Sequence, residues 1–179
     1  HHENEIAQSE GATGKPFVRY WLHTRHILVD GVKMSKSKGN FYRLADIIEH
    51  GFSPSDLRVC FLGAHYRSQM NFTWEGLEQA HKIKESLLKT SVRVMTASVS
   101  DTGLSAASWL ARLVEACEDD LNTPLALTVA QELARETNSA LDRNGSLNPD
   151  VRSTFEMILF LFALEPEKEE KLPDDIRRG

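Results

Sequence analysis

Hydrophobic positions change their spacing near residue 42. Before it they follow short, mixed patterns; after it they recur at helical intervals. Residues 3–10 mix Glu, Asn, Ile, Ala and Gln and read as a helix ending near Gly11 and Gly14. Lys15-Pro16 breaks that pattern. Residues 17–29 are rich in aromatic and β-branched side chains (Phe17, Val18, Tyr20, Trp21, Ile27, Val29) and read as a strand. Asp30-Gly31 is a hairpin-turn signal, with residues 32–34 as the return strand. A polar stretch bounded by Gly31 and Gly39 reads as a mobile loop.

Helical spacing then takes over. Residues 44–50 form a short helix stopped by Gly51. Ser53-Pro54 is an N-cap with proline at the first helical position and Asp56 three residues after the cap, opening a helix to about Tyr66. A long helix over residues 73–98 carries Leu77, Ala80, Ile83, Leu87, Leu88, Val92 and Met95 as its apolar stripe. Residues 104–117 form another, with Leu110, Leu113, Val114 and Cys117 on one side. Thr123-Pro124 repeats the cap-plus-proline start of a helix ending near Leu141. Asn144-Gly145 breaks the chain, and Asn148-Pro149 opens a last helix bearing Val151, Phe155, Ile158, Leu159 and Phe162. The expected fold is mainly α: an antiparallel helical bundle over residues 73–179, preceded by a truncated α/β piece over residues 1–42. A helix and one hairpin bury little apolar surface by themselves, so the first piece reads as part of a larger domain.

Composition narrows the class. Of the 179 residues, 41% are apolar and 26% charged, as in a soluble globular chain. The net charge of -5 runs against a chain-wide nucleic-acid surface but leaves local basic patches open. Part of the acidic excess sits in residues 165–170, a solvated tail. Cys60 and Cys117 lie far apart and form no Cys-x-x-Cys pair, so a reducing, cytoplasmic setting is expected. The longest apolar run, residues 157–164, is too short to span a bilayer, and no membrane partner is expected.

Three groups of residues carry candidate chemistry. Lys33-Met34-Ser35-Lys36-Ser37 continues to Lys38, placing three lysines within six residues of a glycine-bounded loop. Such ammonium groups suit phosphate oxygens and can stabilise charge building on a leaving pyrophosphate. Read alone, the same residues are a lysine-rich solvated turn. His1 and Glu5 stand four apart, on one side of a helix, and could supply half a zinc site. Alone they read as a helix-surface contact, and His1-His2 as a purification-tag remnant. Asp119-Asp120-Leu121-Asn122-Thr123-Pro124 is a helix junction, with acids near a helix start, a threonine cap and proline.

Taken in order, His-His-Glu-Asn-Glu-Ile-Ala-Gln-Ser-Glu at the start, Lys33-Met34-Ser35-Lys36-Ser37, His65-Tyr66-Arg67-Ser68, Asn71-Phe72 and Asp120-Leu121-Asn122-Thr123-Pro124 closely resemble the cysteinyl-tRNA synthetases, class I aminoacyl-tRNA synthetases. The resemblance is weakest over residues 94–108 and after Leu164. The lysine pentapeptide marks class I synthetases in general; the histidine-glutamate segment narrows the choice.

The resemblance implies that residues 33–37 close over ATP, bound with Mg. It gives catalytic roles to Lys33 and Lys36 and nucleotide contacts to Met34, Ser35, Lys36 and Ser37, with His23 near the adenylate pocket. His1 and Glu5 become two of four ligands to Zn, which in that family takes the thiolate of the substrate cysteine. A soft sulfur on zinc separates cysteine from serine without an editing site. Residues 43–72 would contact the tRNA stem, and residues 73–179 would form an anticodon-binding-type bundle docking tRNA(Cys). The sequence also departs from the family pattern. The family's other two zinc ligands are cysteines upstream of the first residue here, and Cys60 and Cys117 do not match them. Its ATP-holding His-Ile-Gly-His, the first half of its sheet and its anticodon-reading C-terminal region are absent. The expectation is a fragment of a cysteine–tRNA ligase, itself inactive. The alternatives are a tRNA-binding or structural helical module and part of a cysteine:amino-sugar ligase; the bundle and the Asp120 junction favour the tRNA enzyme.

Overall fold

A computed structural model describes residues 2–144 and 146–164. The mainly helical fold class expected from the sequence is what the chain adopts. Helix α1 (Glu3–Thr13) has no buried residue and is capped by Gly14. The hairpin is β1 (Leu28–Val29) and β2 (Val32–Lys33), with Leu28 opposite Lys33. Its two turn residues, Asp30 and Gly31, have φ of 49° and 76°. Consecutive left-handed residues match the twist of an antiparallel pair, and Asp-Gly tolerates them at small cost. A third strand, β3 (Asn71–Phe72), runs parallel to β1 and completes a sheet of order β2-β1-β3.

Helices α2 (Leu44–Glu49) and α3 (Pro54–Leu62) follow the lysine loop. The cap expected at Ser53 forms as a capping box with Asp56: the Ser53 N–H donates to Asp56 Oδ2 at 2.7 Å, and the Asp56 N–H donates to Ser53 Oγ at 3.3 Å. Val29, Ile47, Phe72 and Leu77 form a small core under β1, with Ile27, Met34, Tyr42 and Phe52 packed against it. His50 stacks on Trp74 at 4.1 Å and Tyr42 meets Trp74 edge-on at 5.1 Å, tying both flanks of α2 to the residue that follows β3 and the Thr73 cap.

The larger core belongs to four helices: α4 (Trp74–Thr96), α5 (Ala107–Glu118), α6 (Thr123–Asn144) and α7 (Pro149–Leu161). Leu87, Leu113, Leu133, Phe155 and Ile158 are almost wholly buried there. Each contributes about 1.5–3 kcal/mol relative to exposure. Ala126, Ala130 and Ala134, four residues apart and buried, keep that face of α6 narrow against its neighbours. Helix α4 bridges the two cores, packing on α3, α6 and α7.

Several local expectations are corrected. The strand over residues 17–29 shrinks to Leu28–Val29. Among the described residues, its first part finds a main-chain partner only where the Arg25 N–H donates to Tyr66 O at 3.4 Å. Strand propensity without a neighbouring strand leaves extended chain. The expected helices over 73–98 and 104–117 are shorter, ending at Thr96 and starting at Ala107, and the chain between them forms β4 (Ser98–Leu104), which pairs in parallel with β5 (Ser146–Leu147). Helix α3 stops at Leu62 rather than near Tyr66. Helix α6 is capped by Asn122, whose Oδ1 accepts from the Leu125 N–H at 3.3 Å, so Thr123 is its first residue rather than its cap. The buried face of α4 runs through Leu77, Lys84, Leu87, Ser91 and Val94, leaving Val92 60% exposed. The face keeps its seven-residue repeat and takes in three polar side chains, Lys84, Thr90 and Ser91, which an apolar pattern passes over. The acidic tail lies outside the described residues.

Candidate functional site

The lysine loop is anchored at its base and open at its tip. Lys33 ends β2, and Met34 packs toward the small core, tying the near end of the loop to the fold. Asn40 closes the base: its Oδ1 accepts from the Ser35 N–H at 2.9 Å, and its amide nitrogen donates to Val32 O and Lys33 O at 3.4 and 3.3 Å. Between these anchors Lys36–Lys38 make a single 3-10 turn. Lys36, Ser37 and Lys38 are exposed, Ser35 Oγ lies 3.3 Å from Ser37 Oγ, and Lys36 Nζ sits 5.4 Å from the centre of the Phe41 ring. A compact turn thus presents ammonium and hydroxyl groups to solvent from a fixed base, an arrangement suited to phosphate oxygens.

His23 is part of a ring stack. It lies 5.3 Å from His2 and 6.0 Å from Trp21, and the His2 and Trp21 rings are 5.2 Å apart, all near-parallel. The metal expectation rests on His1 and Glu5. His1 lies outside the described residues. Glu5 is exposed, with Oε2 3.8 Å from His2 Nδ1. Among the described residues no three His, Cys, Asp or Glu side chains converge on a point that could hold an ion. Burial pushes the Cys60 thiol up, and burial, then the nearby Glu118 charge, pushes up that of Cys117. Both shifts disfavour the thiolate a metal needs. The described donors do not make up a zinc site.

The corner between α5 and α6 holds more than a cap. Asp120 and Leu121 both take left-handed backbone, φ 50° and 56°, uncommon for residues with a Cβ. Three consecutive side chains from the loop after α3 converge on Asp120. Tyr66 OH donates to its Oδ1 at 2.6 Å, Arg67 Nε lies 3.0 Å from its Oδ2, and His65 Nε2 lies 3.0 Å from its carbonyl oxygen. Because His65 Nδ1 accepts from the Arg67 N–H at 3.2 Å, Nε2 carries the proton and donates. Arg67 Nε also donates to Tyr66 OH at 2.8 Å; that bond, then the Asp120 charge, raises its guanidinium pKa. The loop in turn holds the extended segment: Arg25 Nε donates to Arg67 O at 2.9 Å and the Leu28 N–H to Met70 O at 2.8 Å. Between segment, α3 and corner opens a cleft of about 390 Å³, lined chiefly by Leu22, Ile27, Arg58, Phe61, Met70 and Leu121.

A buried ion pair fastens α3 to α4. Lys84 Nζ lies 3.0 Å from both Asp56 Oδ1 and Ser53 Oγ, with Lys84 and Asp56 each 1% exposed. His81 Nδ1 is a further 3.0 Å partner of Asp56. Burial pushes the Asp56 carboxyl up, but the Ser53 N–H and hydroxyl, with Lys84 and His81, outweigh it and hold the group below its ordinary value. Sequence reasoning found the capping role of Asp56 but neither this pair nor Asp120 as an acceptor. The seven-residue spacing of Leu77, Lys84 and Ser91 was the available signal for the pair; Asp120 offers none, because its partners lie more than fifty residues away.

Comparison with known proteins matches these two regions separately. Residues 1–82 match the family model described as the tRNA synthetases class I (C) catalytic domain, and residues 112–159 match the DALR domain. A catalytic-domain segment that carries the lysine loop and leads into DALR helices defines a portion of a class I aminoacyl-tRNA synthetase. Curated relatives include the cysteine–tRNA ligases of Chlamydia muridarum (42% identical, covering 87% of this chain and 34% of that protein) and Koribacter versatilis (40%, 88% and 33%). That of Chlorobium chlorochromatii is 40% identical over 91% of this chain and 34% of its own length. The chain belongs to the cysteine–tRNA ligase family and spans about a third of the length of these relatives. No described helix is long and apolar enough to cross a membrane.

Proposed function

We propose that this chain is the part of a cytoplasmic cysteine–tRNA ligase that closes over ATP and leads into the tRNA-docking helices. The observation that carries this is the lysine loop, anchored by Met34 and Asn40 with Lys36 and Lys38 on an exposed turn, in a segment matching a class I catalytic domain. The parent enzyme would activate cysteine with Mg-bound ATP and transfer it to tRNA(Cys). Lys33 and Lys36 would neutralise charge on the departing pyrophosphate, and Ser35 and Ser37 would add hydroxyl donors. Met34 would serve the nucleotide by fixing the loop's base. His23, in its ring stack, is assigned to the rim of the adenylate site. His1 and Glu5 are assigned to the parent's zinc, whose remaining ligands would come from outside this chain. Residues 1–42 would be the catalytic portion, 43–72 the stem-contact region and the helices from 73 onward the tRNA-docking bundle.

Two measurements test this. In a full-length ligase of the family carrying residues 27–42 of this chain, Lys36→Ala is expected to slow cysteine-dependent ATP–pyrophosphate exchange while leaving cysteine affinity nearly unchanged, because the charge acts mainly in the transition state. An unchanged rate with weakened cysteine binding would overturn the assignment. The chain alone is expected to shift tRNA in a native gel at low salt, with affinity falling as salt rises. It is expected to give no exchange above background, since one wall of a nucleotide site cannot orient ATP.

A further inference from the structure

We infer that Asp120 is a positioning residue whose contacts connect the DALR helices to the base of the lysine loop. The route is continuous. The carboxylate and carbonyl of Asp120 hold His65, Tyr66 and Arg67. The main chain of that loop holds Arg25 through Tyr66 O and Arg67 O, and Leu28 through Met70 O. Leu28 begins β1, which pairs with β2, and β2 ends in Lys33. The corner is built to be set by its partners. Asp120 and Leu121 are consecutive left-handed residues with side chains, a conformation that persists only where the surroundings over-determine it. The Tyr66–Asp120 and Arg67–Asp120 contacts are exposed and charged, and they join two surface loops, one inside each family match. The functional meaning rests on the reading above: a ligand seated on the helices would be felt at the lysine loop through this corner.

The test needs no substrate, so it stands or falls separately from the ATP and tRNA assignments. Amide hydrogen exchange of the 179-residue chain is compared with that of Asp120→Asn, which keeps the shape and tolerates left-handed backbone but removes the charge. The Asp120→Gly variant removes the side chain and relieves the backbone. In both, the amides of Leu28 and Asp30 are expected to exchange on the order of tenfold faster, the effect of losing a charge-assisted hydrogen bond. Those of Leu87 and Leu133 in the large core should keep their rates. If neither variant folds, Tyr66→Phe, which removes one hydroxyl and no packing, gives the same readout. Unchanged exchange at Leu28 and Asp30, or equal acceleration throughout the chain, would overturn the proposal.

Discussion

Replacing Lys84 with Met removes one charge from the α3–α4 seam and, with it, the hydrogen bond to Ser53 Oγ. The methionine stem fills most of the lysine's space, while the ammonium 3.0 Å from Asp56 disappears. Asp56 keeps the Ser53 N–H at 2.7 Å, the Ser53 hydroxyl at 2.8 Å and His81 at 3.0 Å, but it stays 1% exposed without a full counter-ion. Breaking one side of a buried pair costs about 3–5 kcal/mol, and the surviving hydrogen bonds place this case near the lower end. With a urea m-value of about 2 kcal/mol/M, the unfolding midpoint is expected to fall by about 1.5 M at pH 7. The pH dependence has a definite sign. Asp56 has a depressed folded pKa, so it adds stability above its unfolded value of about 3.9 and loses it as pH falls through the lower folded value. Without Lys84 the carboxyl protonates earlier, so the penalty is full at pH 7 and shrinks as pH falls below about 4. Urea titrations followed by far-UV circular dichroism at the two pH values measure this. A midpoint change under about 0.3 M at pH 7, or an equal change at both, would refute the reasoning. The pair Asp56→Asn with Lys84→Met should cost less than the two single changes summed, since neither charge is then left alone.

Gly103→Ala is expected to cost about 1–3 kcal/mol in thermal or urea unfolding, because a Cβ there would lie 2.6 Å from the Leu147 carbonyl carbon and 2.7 Å from Asn148 N; wild-type stability would show that β4 and β5 are not packed this closely. Asn40→Ala removes three hydrogen bonds at the base of the lysine loop, so the Ser35 amide is expected to exchange about fivefold faster or more, with the bundle unaffected. Equal exchange in both proteins would mean that Met34 alone anchors the loop.

The helices were legible because their ends carry chemistry that acts locally. Ser53-Pro54 and Asn148-Pro149 each supply a cap and a proline within two positions, and both helices begin there. The Asp30-Gly31 turn was legible for the same reason. What escaped depends on partners distant in sequence. Strands β3 and β5 are two residues long and exist only through β1 and β4. Aromatic residues 17–22 have strand composition but no ladder, so composition overstated them. Lys84 has no place in an apolar stripe because hydropathy ranks lysine by its charge, while its burial follows from Asp56 across the seam. In the candidate site, the lysine run was visible as a motif, but the Asn40 clasp and the Asp120 anchor were not. Each is an ordinary polar residue whose role is set by what the fold brings to it.

The parallel pairing of β1 with β3 bears on the order in which the chain folds. Leu28 meets Asn71 only after the lysine loop, α2 and α3 have been gathered into a closed ring of chain, and closing that ring costs entropy before any ladder bond repays it. Helices α5 and α6, joined by a four-residue corner, face no such delay. Contacts between near neighbours form early and those between distant segments late. The DALR helices should therefore consolidate first, and the segment bearing Lys36 should be the last to gain its shape.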